Sequence, residues 1–320
     1  MKRKIIIISV LSIMIFIVSL FIGPRAMSPF ALSDMEKEII LSIRLPRVLI
    51  AILIGMALGA SGALLQGLLK NPLADPYILG ISSGASLSAA LGIMSGIYLF
   101  GKFTIPLMAF IGAIFVSTVV GILGWRRGGL WPERLLLAGI GLSFLFNAAL
   151  MFIMSVSTDE GLRRAVLWIF GDLSIADWSL IPYGLAFIIA GLIISILRAK
   201  ALNALILGDE IAYSLGFSVY KERFVLFISI ALMTSASVSL GGIIGFIGLL
   251  IPHIVRLLVG ADSRILIPAS ALCGGGFLCI ADLIGKSIMA PMEIPSGIVT
   301  AIIGSPYFLY LLRRRDVLGI

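Results

Sequence analysis

The sequence predicts an all-α, polytopic membrane protein, a single transmembrane domain over residues 1–320 with about ten helices across the bilayer. Three observations lead to this prediction: 60% of the residues are hydrophobic, only 12% are charged, and the mean hydropathy is +1.16. A soluble domain is about half apolar and a quarter charged. Because one crossing needs about 20 mostly uncharged residues, little of the chain is left for a soluble domain.

The first apolar run, residues 5–22, follows Lys2, Arg3 and Lys4 and has two interpretations. A basic start before an apolar run is typical of a secretory signal peptide, and Ala26-Met27-Ser28 would suit cleavage. At about 18 residues, however, the run exceeds the usual apolar core of a signal peptide. We favour a retained membrane helix, and cleavage stays open.

The later apolar runs are bounded by charges, glycines and prolines. They cover residues 45–68, 78–100, 104–125, 135–156, 180–197, 224–242, 248–258, 265–288 and 294–312. Because lysines and arginines of short loops collect on the cytoplasmic side, their positions predict the orientation. If the chain starts inside, 16 of the 24 are cytoplasmic: Lys2, Arg3, Lys4, Lys70, Arg126, Arg127, Arg134, Arg198, Lys200, Lys221, Arg223, Arg256, Arg264, Arg313, Arg314 and Arg315.

The other basic residues then lie outside, and they are Arg25, Lys37, Arg44, Arg47, Lys102, Arg163, Arg164 and Lys286. This asymmetry predicts cytoplasmic N- and C-termini in a multi-pass protein of the cell (inner or plasma) membrane. The net charge of +8 belongs to loops between apolar runs, so no nucleic-acid partner is predicted.

Two segments interrupt the apolar helices. Residues 71–76 (Asn-Pro-Leu-Ala-Asp-Pro) contain two prolines, and residues 241–248 are rich in glycine. Non-helical backbone at membrane depth persists only where it is buried in protein or lines a cavity. One break in each half of a chain is typical of transporters built from paired repeats.

The longest polar cytoplasmic loop covers residues 198–223. Asp209 and Glu210 favour a helix start, because acidic side chains are stabilised at the positive end of a helix dipole. Gly216 suits the end of that helix. We predict a short amphipathic helix here, with an ordinary solvated loop as the alternative.

No catalytic or metal-binding constellation is visible. His253, the only histidine, has no ligand partner at helical spacing, and Cys273 and Cys279 have no metal-ligand spacing. No phosphate-binding loop of an ATPase is present. We therefore predict no enzymatic activity, no cofactor and no metal site, and an intramembrane enzyme is poorly supported.

Asp282 and Lys286 stand four residues apart inside a predicted span, in the order that favours an ion pair. Charges within a span are costly and usually face protein or water. A structural pair at the outer boundary is favoured, and a proton relay is the alternative.

Ordered motifs run from Arg44 to Arg313, and they are residues 44–47 (Arg-Leu-Pro-Arg), 61–67, 71–76, 79–84, 136–139, 207–210, 245–249, 252–253 and 294–300. Taken together, they resemble the FecCD family of ABC-importer permeases, which carry iron–siderophore complexes, haem or cobalamin. The chain departs from the family at Pro132 and Glu133 and at Gly242-Ile243, where a proline is common.

The resemblance implies a ten-helix subunit that works with several partners. These are a second permease subunit, in a homodimer or heterodimer, two cytoplasmic ATP-binding subunits that drive transport, and a periplasmic or lipid-anchored substrate-binding protein. Membrane lipid surrounds the assembly. The resemblance leaves open which iron chelate (siderophore), haem or cobalamin is carried.

The resemblance also implies three sets of site residues. The ATPase would contact the loop at Gly208, Asp209, Glu210, Ala212, Leu215 and Gly216. The binding protein would dock at Arg44, Arg47 and Lys286, and the cytoplasmic gate would include Asn71 and Leu73. The main rival to an ATP-driven importer is a proton-coupled secondary transporter that uses Asp282 or Glu293.

Overall fold

The computed structural model describes residues 2–23, 27–30, 32–96, 98–126 and 129–313. Arg25, Ala26, Arg127, Arg314 and Arg315, which enter the predictions on orientation and cleavage, lie outside these residues. The helices are α1 Lys2–Phe21, α2 Asp34–Ile39, α3 Leu45–Leu68, α4 Ile81–Met94, α5 Thr104–Gly124, α6 Pro132–Ser155, α7 Asp159–Ile169, α8 Ile181–Leu197, α9 Ala199–Leu207, α10 Asp209–Ser214, α11 Val219–Gly241, α12 Ile247–Val259, α13 Ser263–Ile288 and α14 Ser296–Arg313.

The all-α membrane class is confirmed. Among the described residues, seven helical segments are long and apolar enough to cross a membrane, and α4, α12 and α14 are shorter apolar helices. The observed helices match the predicted runs to within a few residues, apart from the run 78–100, of which α4 covers only Ile81–Met94. The count of ten crossings treats the three shorter helices as spans and stays a prediction.

Helix α3 forms the centre of the bundle. It is reached through α2, which begins with a capping box between Ser33 and Glu36, and through one turn of π-helix at Ile40–Arg44. Most of α3 is buried, and α8, α11, α12 and α13 pack around it. An α-helix without large side chains on its contact faces lets other helices approach closely, which is how helices associate in membranes.

Helices α3 and α13 are in close backbone contact. A methyl group at Gly274 would lie 2.1 Å from the carbonyl oxygen of Gly55, and one at Gly59 would lie 2.2 Å from that of Ser270. Glycine is therefore required at this crossing, because any side chain would separate the two backbones. The two helix backbones therefore pack directly against each other at this crossing.

Both predicted interruptions are non-helical in the structure. Between α3 and α4 the chain forms turns and a short 3₁₀ helix, Pro76–Leu79. Between α11 and α12, residues 242–246 leave the helix, and Phe246 has a φ of 69°. One small hairpin pairs Trp125 and Arg126 with Gly129 and Leu130.

We call the end of the bundle that carries α9 and α10 the inner end, and the end where α3 begins the outer end. The names follow the predicted orientation. Helix α7 lies at the outer end between α6 and α8, and α9 and α10 follow α8 directly at the inner end.

Candidate functional site

The two interruptions of the helices meet inside the bundle. The backbone N–H of Ile244 donates to the Tyr77 hydroxyl at 3.3 Å, which joins residues 242–246 to the 3₁₀ turn after α3. A methyl group at Gly248 would lie 2.5 Å from Pro76, so the start of α12 packs closely on the same turn. The non-helical backbone of each segment is thus covered by the other, as membrane depth requires.

Asn71 and Leu73, the predicted gate residues, form a turn at the inner end of α3. The Asn71 side-chain oxygen accepts from the backbone N–H of Leu73 at 2.9 Å, and the Asn71 N–H donates to the carbonyl of Gln66 at 3.0 Å. Asn71 is exposed and Leu73 is half-buried. Such an Asx turn holds its residues in one conformation, so Leu73 projects from a fixed point.

Gln66 fastens this region to α12. Its side-chain amide donates to the carbonyl of Leu249 at 3.1 Å, and its oxygen accepts from the Arg256 guanidinium at 2.8 Å. The sequence indicated Gln66 as a polar residue within a span. It gave no sign of Arg256 as its partner, because the two are 190 residues apart.

Helices α9 and α10 carry the residues of the predicted cytoplasmic contact. As predicted, α10 begins at Asp209, and the chain turns away at Gly216, where φ is 85°. Gly208, between the helices, has a φ of 136°, a conformation that L side chains rarely adopt. Ala212 is buried beneath the pair, and Glu210 and Leu215 are exposed.

This helix pair presents an unusual amount of apolar surface. Leu207, Tyr213 and Leu215 are 60 to 79% exposed. A groove of about 830 Å³ lies beside them, lined by Asp209, Glu210, Tyr213, Gly216, Phe217, Ser218, Val219 and Tyr220. Large exposed side chains in a contiguous patch mark an interaction surface.

Two polar contacts fix the helix pair to the bundle. Asp209 accepts from Arg223 of α11 at 2.7 Å. Asn203 of α9 donates to Asp262 at 2.8 Å and accepts from the backbone N–H of Ser263 at 2.9 Å, where α13 begins. Hydrogen bonds from Arg264 and Asn203 hold the pKa of Asp262 well below its usual range, so this carboxylate is charged at neutral pH.

At the outer end, Arg47 lies at the centre of a charge cluster. Its guanidinium donates to Asp282 at 2.9 Å and to Glu293 at 2.8 Å, and the Ser296 hydroxyl also donates to Asp282 at 3.0 Å. The predicted Asp282–Lys286 pair is present, but at 3.9 Å it is the longest of these contacts. The cluster joins α3, α13 and the start of α14.

Arg44 and Lys286 turn toward α1. Arg44 donates to the carbonyl of Leu20 at 3.0 Å, and Lys286 donates to that of Ser19 at 3.2 Å. Both are more than 90% buried, as is Asp282. The three cations therefore converge at the outer end, as expected, but their charges are engaged inside the chain.

The same geometry bears on the proton-relay alternative. Asp282 and Glu293 both accept hydrogen bonds from Arg47, so both carboxylates are engaged in one ion-pair cluster. His253 is buried against α14, with its ring 6.5 Å from that of Tyr307. Within the described residues, no group of three potential metal ligands is present.

Comparisons with known proteins identify the family of the chain. The family model of the FecCD transport family matches residues 5–314. The hemin transport system permease protein HmuU of Yersinia pestis is 40% identical over 317 residues, covering 95% of this chain and 94% of the relative. The iron(3+)-hydroxamate import permease FhuG of Bacillus subtilis is 35% identical, covering 96% of this chain and 95% of the relative.

A cobalamin import permease, BtuC of Halobacterium salinarum, is 37% identical over 93% of this chain and 80% of its own length. Among solved structures, an inward-facing conformation of a metal-chelate type ABC transporter is similar at a TM-score of 0.89 and 29% identity, over 98% of this chain and all of that one. The match to the family model over nearly all of the chain, together with these relatives, shows that the chain belongs to the FecCD transport family.

Proposed function

We propose that this chain forms the membrane path of an ATP-driven importer for a bulky metal chelate or tetrapyrrole: a ferric siderophore, haem or cobalamin. The similarity to permeases with those named substrates supports the substrate class. The exposed surface of α9 and α10 supports the proposal that transport is driven by ATP, because a permease without its own ATPase needs a surface where an ATPase binds.

The ATPase subunits would bind at residues 208–216. This surface offers two kinds of contact. The exposed side chains of Tyr213 and Leu215 would be buried by a partner, and Glu210 provides a negative charge at the start of α10. The groove beside Tyr213 can accept a side chain from the partner. Gly208 and Gly216 allow the sharp turns that present this surface.

Movement of α9 would reach the rest of the bundle through Asn203. Its two hydrogen bonds, to the Asp262 carboxylate and to the Ser263 N–H, grip the first residues of α13. Because α13 and α3 touch backbone to backbone at Gly55 and Gly274, they would move together as far as the outer charge cluster. This route runs from the ATPase end to the substrate-entry end.

The gate would lie at the turn of Asn71 and Leu73. The turn is fixed to its own chain by Asn71 and Gln66, so closure would require the equivalent residues of a second permease subunit to meet it across a two-fold axis. Leu73 is the apolar residue of the turn that a partner could contact.

Docking of a binding protein at Arg44, Arg47 and Lys286 would need an exchange of partners. Arg44 and Lys286 are buried against carbonyls of α1, and releasing either would leave unsatisfied groups. Arg47 differs, since its second partner Glu293 is 36% exposed. We therefore assign the contact with the binding protein to Arg47, where an acidic residue of that protein would compete with Glu293. Arg44 and Lys286 would hold the surrounding helices in place.

Reconstitution tests the proposed function. The chain, its ATPase and its binding protein would be placed in proteoliposomes and offered haem, ferric hydroxamate, ferric citrate and cobalamin separately. We expect uptake of one class only, dependent on ATP and on the binding protein. Uptake of none of them, or uptake driven by an imposed proton gradient without ATP, would refute the proposal.

A further inference from the structure

A groove of about 570 Å³ runs along the outside of the bundle between α5 and α11. Its walls are almost entirely apolar, with Ile114 and Ile122 from α5 and Phe227, Ile228 and Leu232 from α11. Thr118 lies exposed in the middle of the α5 wall. In a protein that spans a membrane, a groove in this position faces the acyl chains of lipids or another subunit.

The two hydroxyl groups of the groove donate within their own helix. The hydroxyl of Ser117 donates to the carbonyl of Ala113 and that of Thr118 donates to the carbonyl of Ile114, each at 2.8 Å within α5. Neither hydroxyl proton is free to be donated to a ligand. Together with the apolar walls, this favours a hydrocarbon as the occupant of the groove.

The inner end of the groove has different chemistry. Trp125 and Phe224 close it with an edge-to-face contact, their ring centroids 5.9 Å apart. Tryptophan is enriched where apolar chains give way to lipid headgroups. The aromatic pair therefore marks the depth at which a chain lying in the groove would join its headgroup.

Positive charge lies just beyond that point. Lys221 is one turn before Phe224 on the same exposed stripe of α11, and Arg126 follows Trp125. Within the described residues neither side chain has a hydrogen bond or an ion pair. The neighbouring acid Glu222 is buried and bonded to Arg198 instead, and Glu133 at the start of α6 is an exposed acid at this end, as are Asp209 and Glu210 of α10.

We propose that this groove binds one anionic phospholipid, with an acyl chain between α5 and α11 and the headgroup phosphate at Lys221 and Arg126. The division into a hydrocarbon groove, an aromatic boundary and cations without a partner in the described part of the chain matches the order of parts in such a lipid. A second permease subunit fits α6 better, because that helix is largely uncovered. The position of the headgroup on the cytoplasmic side rests on the proposed orientation.

Native mass spectrometry of the purified full chain in detergent tests this proposal, with phosphatidylglycerol or phosphatidylcholine of identical acyl chains added at equal concentration. Thr118→Phe places a ring in the groove, and Leu123→Phe adds the same ring on an exposed position of α5 outside it. We expect one retained phosphatidylglycerol in the wild type and in Leu123→Phe, and none in Thr118→Phe. Ile228→Trp fills the groove from the other wall and replaces Thr118→Phe if that variant does not fold.

Charge removal tests the headgroup. Lys221→Gln should reduce the preference for phosphatidylglycerol about fivefold, the effect of one cation near anionic lipid. Lys200→Gln, which removes an exposed cation from α9, should leave the preference unchanged. Two results would overturn the proposal: equal retention of both lipids by the wild type, or retention of phosphatidylglycerol by Thr118→Phe. The proposal would also fail if Thr118→Phe lost a bound protein and no lipid. None of these readouts depends on transport.

Discussion

At the scale of single residues, the outer charge cluster shows what a buried carboxylate requires. Asp282 is 2% exposed and accepts hydrogen bonds from Arg47 and Ser296. A buried ion is stable only when its charge and its lone pairs are both satisfied, and here residues from two other helices do this. The cluster is the attachment of α3 and α14 to α13.

We predict that Asp282→Asn lowers the stability of the purified chain by roughly 3 kcal/mol, since it leaves the buried Lys286 without its carboxylate partner and Arg47 with Glu293 alone. The measurement is thermal unfolding in detergent. The matched control is Asp34→Asn, at an exposed pair with Lys37, where a change below about 1 kcal/mol is expected. Equal effects of the two variants would show that Asp282 and Arg47 are not coupled in the folded chain.

The sequence predicts part of this cluster. The spacing of Asp282 and Lys286 indicates a helical ion pair, and the pair exists. Arg47 could not be assigned to Asp282 by that rule, because periodicity relates only neighbours on one helix and these two residues are 235 apart. For the same reason, the sequence placed Arg44, Arg47 and Lys286 at one end but could not show that their charges face inward.

At the scale of helices, the bundle depends on close backbone contacts. Helices α3 and α13 are both long and apolar, and the hydrophobic effect cannot choose their contact face within a membrane. Small residues make that choice, and Gly55, Gly59 and Gly274 let the backbones touch. The sequence showed many glycines, yet the pairing of these three needs the fold.

We predict that Gly274→Ala destabilises the chain by about 3 kcal/mol or more, because overpacking costs about 1 to 3 kcal/mol and the obstacle here is backbone. Gly141→Ala in α6 is the control, since a methyl group there meets nothing within 4 Å in this chain. The control should be neutral or up to about 1 kcal/mol more stable. The measurement is the unfolding temperature of each variant. An unchanged unfolding temperature in Gly274→Ala would contradict the close contact of α3 and α13.

The interruptions and the α9–α10 pair were visible in the sequence for a physical reason. Proline and glycine prevent regular helix locally, and Asp209 with Glu210 stabilises a helix start locally. What remained hidden is the partner of each segment, such as Tyr77 for Ile244 and Asp262 for Asn203. Those contacts arise from the packing of distant helices.

At the scale of the whole molecule, the distribution of basic residues predicts which end faces the cytoplasm. The α9–α10 surface lies at the end with more lysine and arginine, which by this prediction is the cytoplasmic end, where ATP is found. The predicted orientation and the proposed ATPase contact are therefore consistent with each other.

We predict that a membrane-impermeant maleimide labels Phe30→Cys in intact cells and labels Tyr213→Cys only after permeabilisation. Both positions are strongly exposed aromatic residues, at the outer and inner ends respectively. The native Cys273 and Cys279 would first be replaced by alanine. The reverse labelling pattern would mean that the chain is inverted.

The central claim is that ATPase subunits bound at α9 and α10 drive transport through this chain, and Glu210→Arg tests it most directly. The variant places a cation at the start of α10, against the helix dipole and within the proposed contact. Glu133→Arg, at an exposed position of α6 outside the helix pair, is the control.

Substrate uptake and ATP hydrolysis would be measured in the same proteoliposomes that contain the chain, its ATPase and its loaded binding protein. We predict that Glu210→Arg lowers uptake about tenfold or more, a loss of about 1.4 kcal/mol in coupling, and removes the stimulation of hydrolysis by the loaded binding protein, while Glu133→Arg retains both. Unchanged uptake and stimulation in Glu210→Arg would contradict the claim.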